Sequence, residues 1–242
     1  MTLPGFTGRV AVVTGGSRGI GAAACRLLVA DGARVAAVGL DPDEVQDVVD
    51  ELRWMGGEAI GVVADCTDPQ AVRALRERIT GELGEPSLLF AFAIADRERE
   101  AGREGERPRD GGDDGAHRAV RLLDLDLAAW QRAVDAELTS TFLTVQAFLP
   151  AMLAARNGTI VTVGASGSSG TDAASVAAGG GIAAFTRHVA GEVAAAGVRV
   201  NCLTCDSPPG PDAAYAALYL ASDLASRVHA ATLAIAGGNF HP

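Results

Sequence analysis

The sequence predicts a doubly wound α/β domain with a mostly parallel seven-stranded sheet and helices on both faces. Short apolar runs alternate with longer amphipathic stretches, the alternation continues along nearly the whole chain, and a glycine-rich turn follows the first run. The length of 242 residues fits one such domain, because open parallel sheets often exceed the average domain length. We therefore assign residues 1–242 to a single domain.

Short apolar runs predict buried parallel strands, because both faces of such a sheet are covered by helices. The predicted strands are Val10 to Val13, Val35 to Val38, Ile60 to Ala64, Leu88 to Ala95, Thr159 to Val163, Val198 to Leu203 and Thr232 to Ile235. Apolar residues spaced three and four apart predict helices between them. The predicted helices are Ala22 to Ala30, Glu44 to Trp54, Ala71 to Leu83, Leu127 to Ala154, Ile182 to Ala195 and Ala213 to Ser222.

Two segments depart from this alternation. Residues 96–118 are almost entirely Arg, Asp, Glu and Gly, a composition that buries little apolar area, so we predict a charged flexible insertion there. A docking surface is the alternative for such a mixed charge run. Gly179 to Gly181 disfavour a helix, because each glycine costs about 1 kcal/mol relative to alanine, so the following helix is expected to begin near Ile182.

Composition and charge narrow the possible partners. The net charge of −10 argues against nucleic acid and anionic membranes, which need a basic face, and favours a protein or a small molecule. The first residues lack a signal peptide's basic and apolar regions, so we expect a cytoplasmic protein. Four scattered cysteines do not suggest disulfides, and Cys202 and Cys205 follow a strand without a second ligand pair, so no metal site is expected.

A glycine-rich turn lies between the first predicted strand and the first helix. It reads Thr14-Gly15-Gly16-Ser17-Arg18-Gly19-Ile20-Gly21. Glycines permit the tight turn, and the bare amides at the helix N-terminus can hold a pyrophosphate. The turn therefore predicts a dinucleotide site, although the same glycines also serve simply to pack the helix against the sheet.

The motif resembles the TGxxxGIG sequence of the short-chain dehydrogenase/reductases, most of all the bacterial 3-oxoacyl-[acyl-carrier-protein] reductases. The resemblance covers nearly the whole chain and implies a Rossmann-type fold. It implies cofactor contacts from the following residues: Thr14, Gly15, Ser17, Arg18, Gly19, Ile20, Gly21, Asp65 and Cys66. After the second strand, Gly39-Leu40-Asp41 matches neither the NAD nor the NADP pattern of the family, and only Arg18 suggests NADP(H).

The catalytic pattern of the resembled family is missing. Family members use a Tyr, a Lys four residues later, a Ser and an Asn, and the equivalent positions here are Ser175, Gly179, Ala165 and Glu137. A Tyr with an ordinary pKa near ~10 transfers protons poorly at neutral pH without a nearby cation. Misalignment does not explain the loss, because the chain contains no Lys and its tyrosines, Tyr215 and Tyr219, lie in a late helix.

Two residues are candidate substitutes. Ser166 replaces the family Ser after a shift of one position, and Glu137 is a carboxylate whose pKa would rise in apolar surroundings. A structural Glu paired with Arg is the alternative for Glu137. The family's NNAG reads Ala91-Phe92-Ala93-Ile94 here, which removes polar contacts and replaces Gly by a branched residue.

These observations leave three functions open. The first is a non-catalytic subunit that forms a hetero-oligomer with an active paralogue, a ketoreductase of fatty-acid or polyketide type, or a homo-oligomer. The second is an enzyme with rebuilt chemistry, either an NADP-dependent reductase using Ser166 and Glu137 or a non-redox cyclase, dehydratase or isomerase. The third is a dinucleotide-binding sensor that keeps only the glycine turn and Asp65.

Overall fold

The computed structural model describes residues 3–92, 120–166, 172–205 and 211–235. Its strands are β1 (Val10–Thr14), β2 (Arg34–Gly39), β3 (Ala59–Val63), β4 (Leu88–Ala91), β5 (Gly158–Ala165), β6 (Val198–Cys205) and β7 (Thr232–Ile235). They form one sheet in the order β3-β2-β1-β4-β5-β6-β7, and every neighbouring pair is parallel. The predicted α/β class with a parallel seven-stranded sheet is confirmed.

Helices connect these strands. They are α1 (Gly19–Ala30), α2 (Pro42–Trp54), α3 (Pro69–Leu83), α4 (Leu127–Val134), α5 (Ser140–Ala155), α6 (Ala173–Val193) and α7 (Pro211–Ala221). Side chains of α1, α2 and α7 pack on one face of the sheet, and those of α3, α5 and α6 pack on the other. Alternation along β1 serves both layers, since Ala11 and Val13 face the first group while Val10 and Val12 face the second.

Aspartates fix where several helices begin. Asp41 accepts a hydrogen bond from Asp43 N at 2.9 Å, and Asp68 accepts one from Gln70 N at 2.8 Å. A proline follows each of these aspartates at the first helical position, where its missing N–H leaves no bond unmade. As a result α2 and α3 each begin two residues before the position that the apolar spacing predicted.

Helix α6 begins at Ala173, so the expectation that it starts near Ile182 is wrong. Asp172 caps it by accepting a hydrogen bond from Ser175 N at 2.9 Å. The glycines at positions 179–181 lie inside the helix. Close contacts with β5 and the neighbouring helix layer, described below, outweigh the low helix propensity of these glycines.

Helices α4 and α5 are joined by a π-helical segment, Asp135–Thr139, which the apolar spacing did not predict. The whole run Leu127–Ala155 has 29 residues and a mean hydropathy of 1.4 in its most apolar window, enough by length and composition to cross a membrane. Val145, Phe148 and Met152 of this run are buried in the core against the sheet. One face of the run therefore packs in the core against the sheet, and 33% of the apolar window is buried.

Arg199 on β6 ties the end of α7 to the sheet. Its guanidinium donates to the carbonyl oxygens of Leu220 at 2.7 Å, Ala221 at 3.1 Å and Ser222 at 3.1 Å. These carbonyls belong to the last turn of the helix and its exit, where no intrahelical partner remains. Burial lowers the pKa of Arg199, with Asp223 opposing the shift.

The cysteines behave as buried apolar residues. All four are free and buried. Cys205 packs with the α1 and α7 layer, whereas the Cys202 thiol lies beside Thr162 and Thr186 on the opposite face of the sheet. The predicted charged insertion at residues 96–118 lies outside the described residues.

Candidate functional site

The glycine turn is fixed to three strands at their carboxyl ends. Thr14 Oγ1 donates to Phe92 O at 2.7 Å, which joins the end of β1 to the residue after β4. Gly16 N donates to Val38 O at 2.8 Å, which joins the turn to β2. A Cβ atom on Gly16 would lie 2.7 Å from Val13 O, so only glycine fits there. The ends of β1, β2 and β4 thus form one edge of the candidate site.

The turn leads directly into α1. Gly15 and Gly19 have φ values of 62° and 49°, a backbone region that favours glycine. A Cβ on Gly21 would lie 2.0 Å from Gly15 O, so the helix packs directly on the turn. Ile20 anchors this first helical turn against the core.

The start of α1 fits the diphosphate of a dinucleotide. Helices α2, α3, α4 and α6 each carry an aspartate N-cap whose side chain accepts a backbone N–H, whereas the N-cap of α1, Arg18, makes no such bond. The first turn of α1 also contains no acidic residue. Its amides and the positive end of its dipole therefore suit an anion.

Ser17 and Arg18 both meet Glu44, a residue of the first turn of α2. Arg18 Nη2 forms an ion pair with Glu44 Oε1, and Ser17 Oγ lies 3.5 Å from Glu44 Oε2. The Arg18 side chain is 44% exposed and that of Glu44 is 26% exposed, so the pair lies at the rim of the site and not in the core. The one positive charge that the sequence assigned to NADP is thus engaged by a carboxylate.

Gly39 ends β2 at this same place. A Cβ atom there would lie 2.6 Å from Ser17 Oγ and 2.7 Å from Val45 Cγ2. A side chain at this strand end would have to displace the side chains of Ser17 and Val45.

Asp65 and Cys66 follow β3 at the same edge of the sheet. Asp65 is exposed, and its Oδ1 accepts from Thr67 N at 2.8 Å and Thr67 Oγ1 at 2.7 Å, which shapes the turn after the strand. Cys66 is buried, and burial raises the pKa of its thiol to about 12. Its thiol is therefore neutral at physiological pH and is not a nucleophile.

Gly179, which the resemblance equates with the family Lys, lies in direct contact with the backbone of a neighbouring strand. Gly179 of α6 is buried, and a Cβ atom on it would lie 2.4 Å from Ala165 O and 2.6 Å from Ala165 N. A Cβ on Gly164 would in turn lie 2.9 Å from the Cα of Gly179. The helix thus lies directly on the end of β5, and a longer side chain at position 179 would require the two elements to separate.

The neighbouring glycines meet different surroundings. A Cβ on Gly181 would lie 2.9 Å from Leu138 Cδ2 of the π-helical segment, whereas one on Gly180 would meet nothing within 4 Å. Ser175, at the position of the family Tyr, is 2% exposed. The two tyrosines of the chain, Tyr215 and Tyr219, are exposed on α7, which covers the opposite face of the sheet from α6.

The two candidate substitutes lie in different surroundings. Glu137 is 4% exposed within the π-helical segment, and its carbonyl oxygen accepts from Thr141 Oγ1 at 2.7 Å. Ser166 is exposed just after β5, and its N–H donates to Cys205 O at 3.0 Å. The structure therefore places Glu137 inside the helix layer and Ser166 at the carboxyl edge of the sheet. Of the NNAG-like stretch, Ala91 and Phe92 are buried, while Ala93 and Ile94 lie outside the described residues.

Three residues of this site were missed by sequence reasoning. Gly16 was part of the motif but was not assigned a role, and its neighbours Val13 and Val38 leave no room for a side chain. Glu44 was interpreted only as part of a helix. Gly164, directly after the predicted strand Thr159 to Val163, was given no role, although it lies against Gly179. Only for Gly16 did the sequence carry a usable signal, because the other two contacts are tertiary.

Comparison with known proteins agrees with this architecture. The family model of the short chain dehydrogenases matches residues 9–207. The cis-4-hydroxycyclohexanecarboxylate dehydrogenase of Sinomonas cyclohexanicum is 36% identical, with 96% of this chain and 97% of the relative covered. The 3-oxoacyl-[acyl-carrier-protein] reductase of Escherichia coli K12 is 28% identical, with 97% and 98% covered.

A solved structure extends the similarity to the whole fold. The NADPH-bound short chain oxidoreductase from Pseudomonas aeruginosa PAO1, described as containing an atypical catalytic center, superposes with a TM-score of 0.81. It is 27% identical, and the match covers 99% of this chain and 100% of that one. The chain belongs to the short-chain dehydrogenase family.

Proposed function

We propose that this chain is a catalytically degenerate member of its family that acts as a non-catalytic subunit of an active ketoreductase of fatty-acid or polyketide type. The observation that carries the proposal is the contact between Gly179 and Ala165. Two positions that correspond to catalytic residues of the family are here a glycine and an alanine whose backbones touch. A Lys side chain, whose ammonium group lowers the pKa of a catalytic Tyr in the family, therefore does not fit at position 179 unless the helix and the strand separate.

Hydride transfer of the family's kind needs a proton donor beside the carbonyl that is reduced. Ser175 is a weak acid at the Tyr position, and the cation that would assist it is missing, because the chain has no Lys. Tyr215 and Tyr219 lie beyond the sheet. These features support a protein that does not act alone as an oxidoreductase of the usual type.

Exposed apolar side chains support a protein partner. Leu122, Leu123 and Leu127, at the entry to α4, are 69%, 85% and 79% exposed. Phe142 on α5 is 42% exposed and forms an edge-on ring contact with Phe185 of α6 at 6.2 Å between centroids. Large exposed apolar side chains grouped along one segment are typical of interaction surfaces. We assign this side of the molecule to the partner reductase, with a second copy of this chain as the alternative occupant.

Co-expression tests the proposal. The chain is produced alone and with an intact reductase of the same family from the same genome, and each sample is measured by light scattering and by reduction of a 3-oxoacyl thioester with NADH and with NADPH. We expect a stable mixed oligomer, no turnover by this chain alone, and higher activity or solubility of the reductase in the mixture. Turnover by this chain alone, or separate elution of the two proteins, overturns the proposal.

A matched pair of surface variants sharpens that test. Leu123→Asp places a charge on the proposed partner side, and Leu224→Asp places one on a residue that is 58% exposed beyond α7. We expect only Leu123→Asp to dissociate the mixed oligomer. Equal effects from both variants would contradict the assigned surface while leaving the oligomer itself established.

An enzyme with rebuilt chemistry is the second candidate. One specific observation favours it: Glu137 is a buried carboxylate in a π-helical segment, a feature that often accompanies functional sites. The similar Pseudomonas aeruginosa structure also has an atypical catalytic center. Under this hypothesis Glu137→Gln abolishes any turnover of the chain alone, and Ser166→Ala reduces it. Turnover that survives both substitutions excludes these two residues.

A further inference from the structure

We propose that Glu44 makes the nucleotide site of this chain select against a ribose 2′-phosphate, so that it binds adenine nucleotides with an unphosphorylated ribose. The inference does not depend on whether the chain turns over a substrate. It concerns Ser17, Arg18, Gly39 and Glu44, which the structure brings together at the carboxyl edge of β2.

The location identifies the part of the ligand. In dinucleotide-binding sheets, the residue about 20 positions after the glycine motif, at the end of the second strand, contacts the adenosine ribose. In this chain that strand end is Gly39, which carries no side chain and lies against the side chains of Ser17 and Val45. Near this edge the structure brings together the Ser17 hydroxyl, the Arg18 guanidinium and the Glu44 carboxylate.

Glu44 changes what this edge can bind. A guanidinium next to the ribose would hold a 2′-phosphate by charge-assisted hydrogen bonds. Here Arg18 is paired with Glu44, and the second oxygen of the same carboxylate lies 3.5 Å from Ser17 Oγ. A 2′-phosphate would have to displace this carboxylate and would also be repelled by it. A ribose with free hydroxyls can instead donate hydrogen bonds to the Glu44 carboxylate.

The local charge pattern works in the same direction. The Asp41 carboxylate accepts hydrogen bonds from Asp43 N and Glu44 N, so it fixes the backbone from which the Glu44 side chain extends and adds negative charge nearby. The Arg18–Glu44 pair is partly exposed, so breaking it requires little energy by itself. Selection against the 2′-phosphate therefore depends on its repulsion by the Glu44 carboxylate and on the lost hydrogen bonds between that carboxylate and the ribose. A variant with a neutral side chain at position 44 should reverse this preference.

Binding titrations test this without any turnover. The probes are 5′-AMP and adenosine 2′,5′-bisphosphate, which differ only in the 2′-phosphate, and then NAD⁺ and NADP⁺, all measured by calorimetry at about 0.15 M salt. We expect wild-type protein to favour the unphosphorylated member of each pair and Glu44→Gln to shift the ratio toward the 2′-phosphate about tenfold, near 1.4 kcal/mol. Arg18→Gln in the Glu44→Gln background should cancel that shift.

Asp43→Asn is the matched control. It removes one negative charge from the same helical turn, but Asp43 is exposed and Glu44 is the residue that pairs with Arg18. Equal shifts from Asp43→Asn and Glu44→Gln, a wild-type preference for the 2′-phosphate, or no binding of any probe by wild type and Glu44→Gln overturns the inference. None of these outcomes bears on the mixed oligomer, which light scattering measures separately.

Discussion

Gly179 on α6 lies against Ala165 at the end of β5 so closely that a Cβ atom on Gly179 would be 2.4 Å from the Ala165 carbonyl oxygen. The helix and the strand therefore touch through their backbones. Such contacts are rigid, because no side chain can rotate away to relieve a clash. Gly179 and Gly164 allow α6 and β5 to pack backbone against backbone, and their effect on stability can be measured.

Gly179→Ala should destabilise the fold, whereas Gly180→Ala should not. The first substitution inserts a methyl group into a backbone contact, which we expect to lower the free energy of unfolding by about 1 to 3 kcal/mol. The second adds a methyl group that meets nothing within 4 Å and should stabilise the helix by up to about 1 kcal/mol. Urea denaturation of both variants measures the difference. Equal stabilities would contradict the packing described for α6.

Restoring the missing catalytic pair should not restore catalysis. Ser175→Tyr places a large side chain at a position that is 2% exposed, and Gly179→Lys forces α6 away from β5. We expect the double variant to be less stable than wild type and inactive in the oxidation of NADH and of NADPH with a 3-oxoacyl thioester. A double variant with wild-type stability and measurable turnover would show that α6 can separate from β5 without loss of stability. Thermal unfolding and the oxidation assay on one preparation decide between these results.

Arg199→Ala should strongly destabilise the C-terminal part of the fold. It removes the guanidinium that satisfies the carbonyls of Leu220, Ala221 and Ser222, and we expect a loss of about 3 kcal/mol. Arg199→Lys keeps the charge but not the fork and should lose an intermediate amount. Arg227→Ala, at an exposed neighbouring position, should change stability by less than about 0.5 kcal/mol. Chemical denaturation of the three variants gives the comparison.

Stability should fall at alkaline pH because of buried thiols. Burial raises the pKa of Cys25 and of Cys66 from 9.0 to about 12, so the folded state keeps protons that the unfolded state loses between these values. The contribution of these neutral thiols to the free energy of unfolding is complete below pH 9 and is lost as the pH rises toward 12. Each thiol therefore lowers the free energy of unfolding by about 1.4 kcal/mol between pH 8 and pH 10.

Cysteine-to-alanine variants isolate this effect. Cys25→Ala and Cys66→Ala each alter packing equally at both pH values, so only the difference between pH 8 and pH 10 is compared with that of wild type. We expect this difference to shrink by about 1.4 kcal/mol in each variant. An unchanged difference in both variants would mean that other groups cause the alkaline loss.

Strand positions were predictable because their signal is local. In β1, buried apolar residues serve both faces of the sheet, so the sequence contains an uninterrupted apolar run. Helix starts were predicted less well. Asp41 and Asp68 precede prolines and mark the beginnings of α2 and α3, a capping signal that apolar spacing alone does not use.

The candidate site was predictable only where its residues are contiguous. The glycine turn could be recognised as a unit, and its contacts follow from steric limits on glycine. Arg18 and Glu44 are 26 positions apart, and their pairing depends on how α2 packs beside the turn. The start of α6 was mispredicted because intrinsic propensity disfavours glycine, while the contact with Ala165 selects it.

The backbone contact between Gly164 and Gly179 also limits which single amino-acid substitutions the protein can tolerate during evolution. A Lys side chain at position 179 would clash with the Ala165 backbone unless α6 moves away from β5. A Tyr side chain at position 175 would have to fit where the much smaller Ser175 is 2% exposed. Each change is harmful before its partner can make it useful. We therefore expect each single substitution toward the catalytic residues of an ordinary reductase to lower the stability of the fold. Substitutions at the surface of this chain should be tolerated more readily than substitutions that restore hydride chemistry.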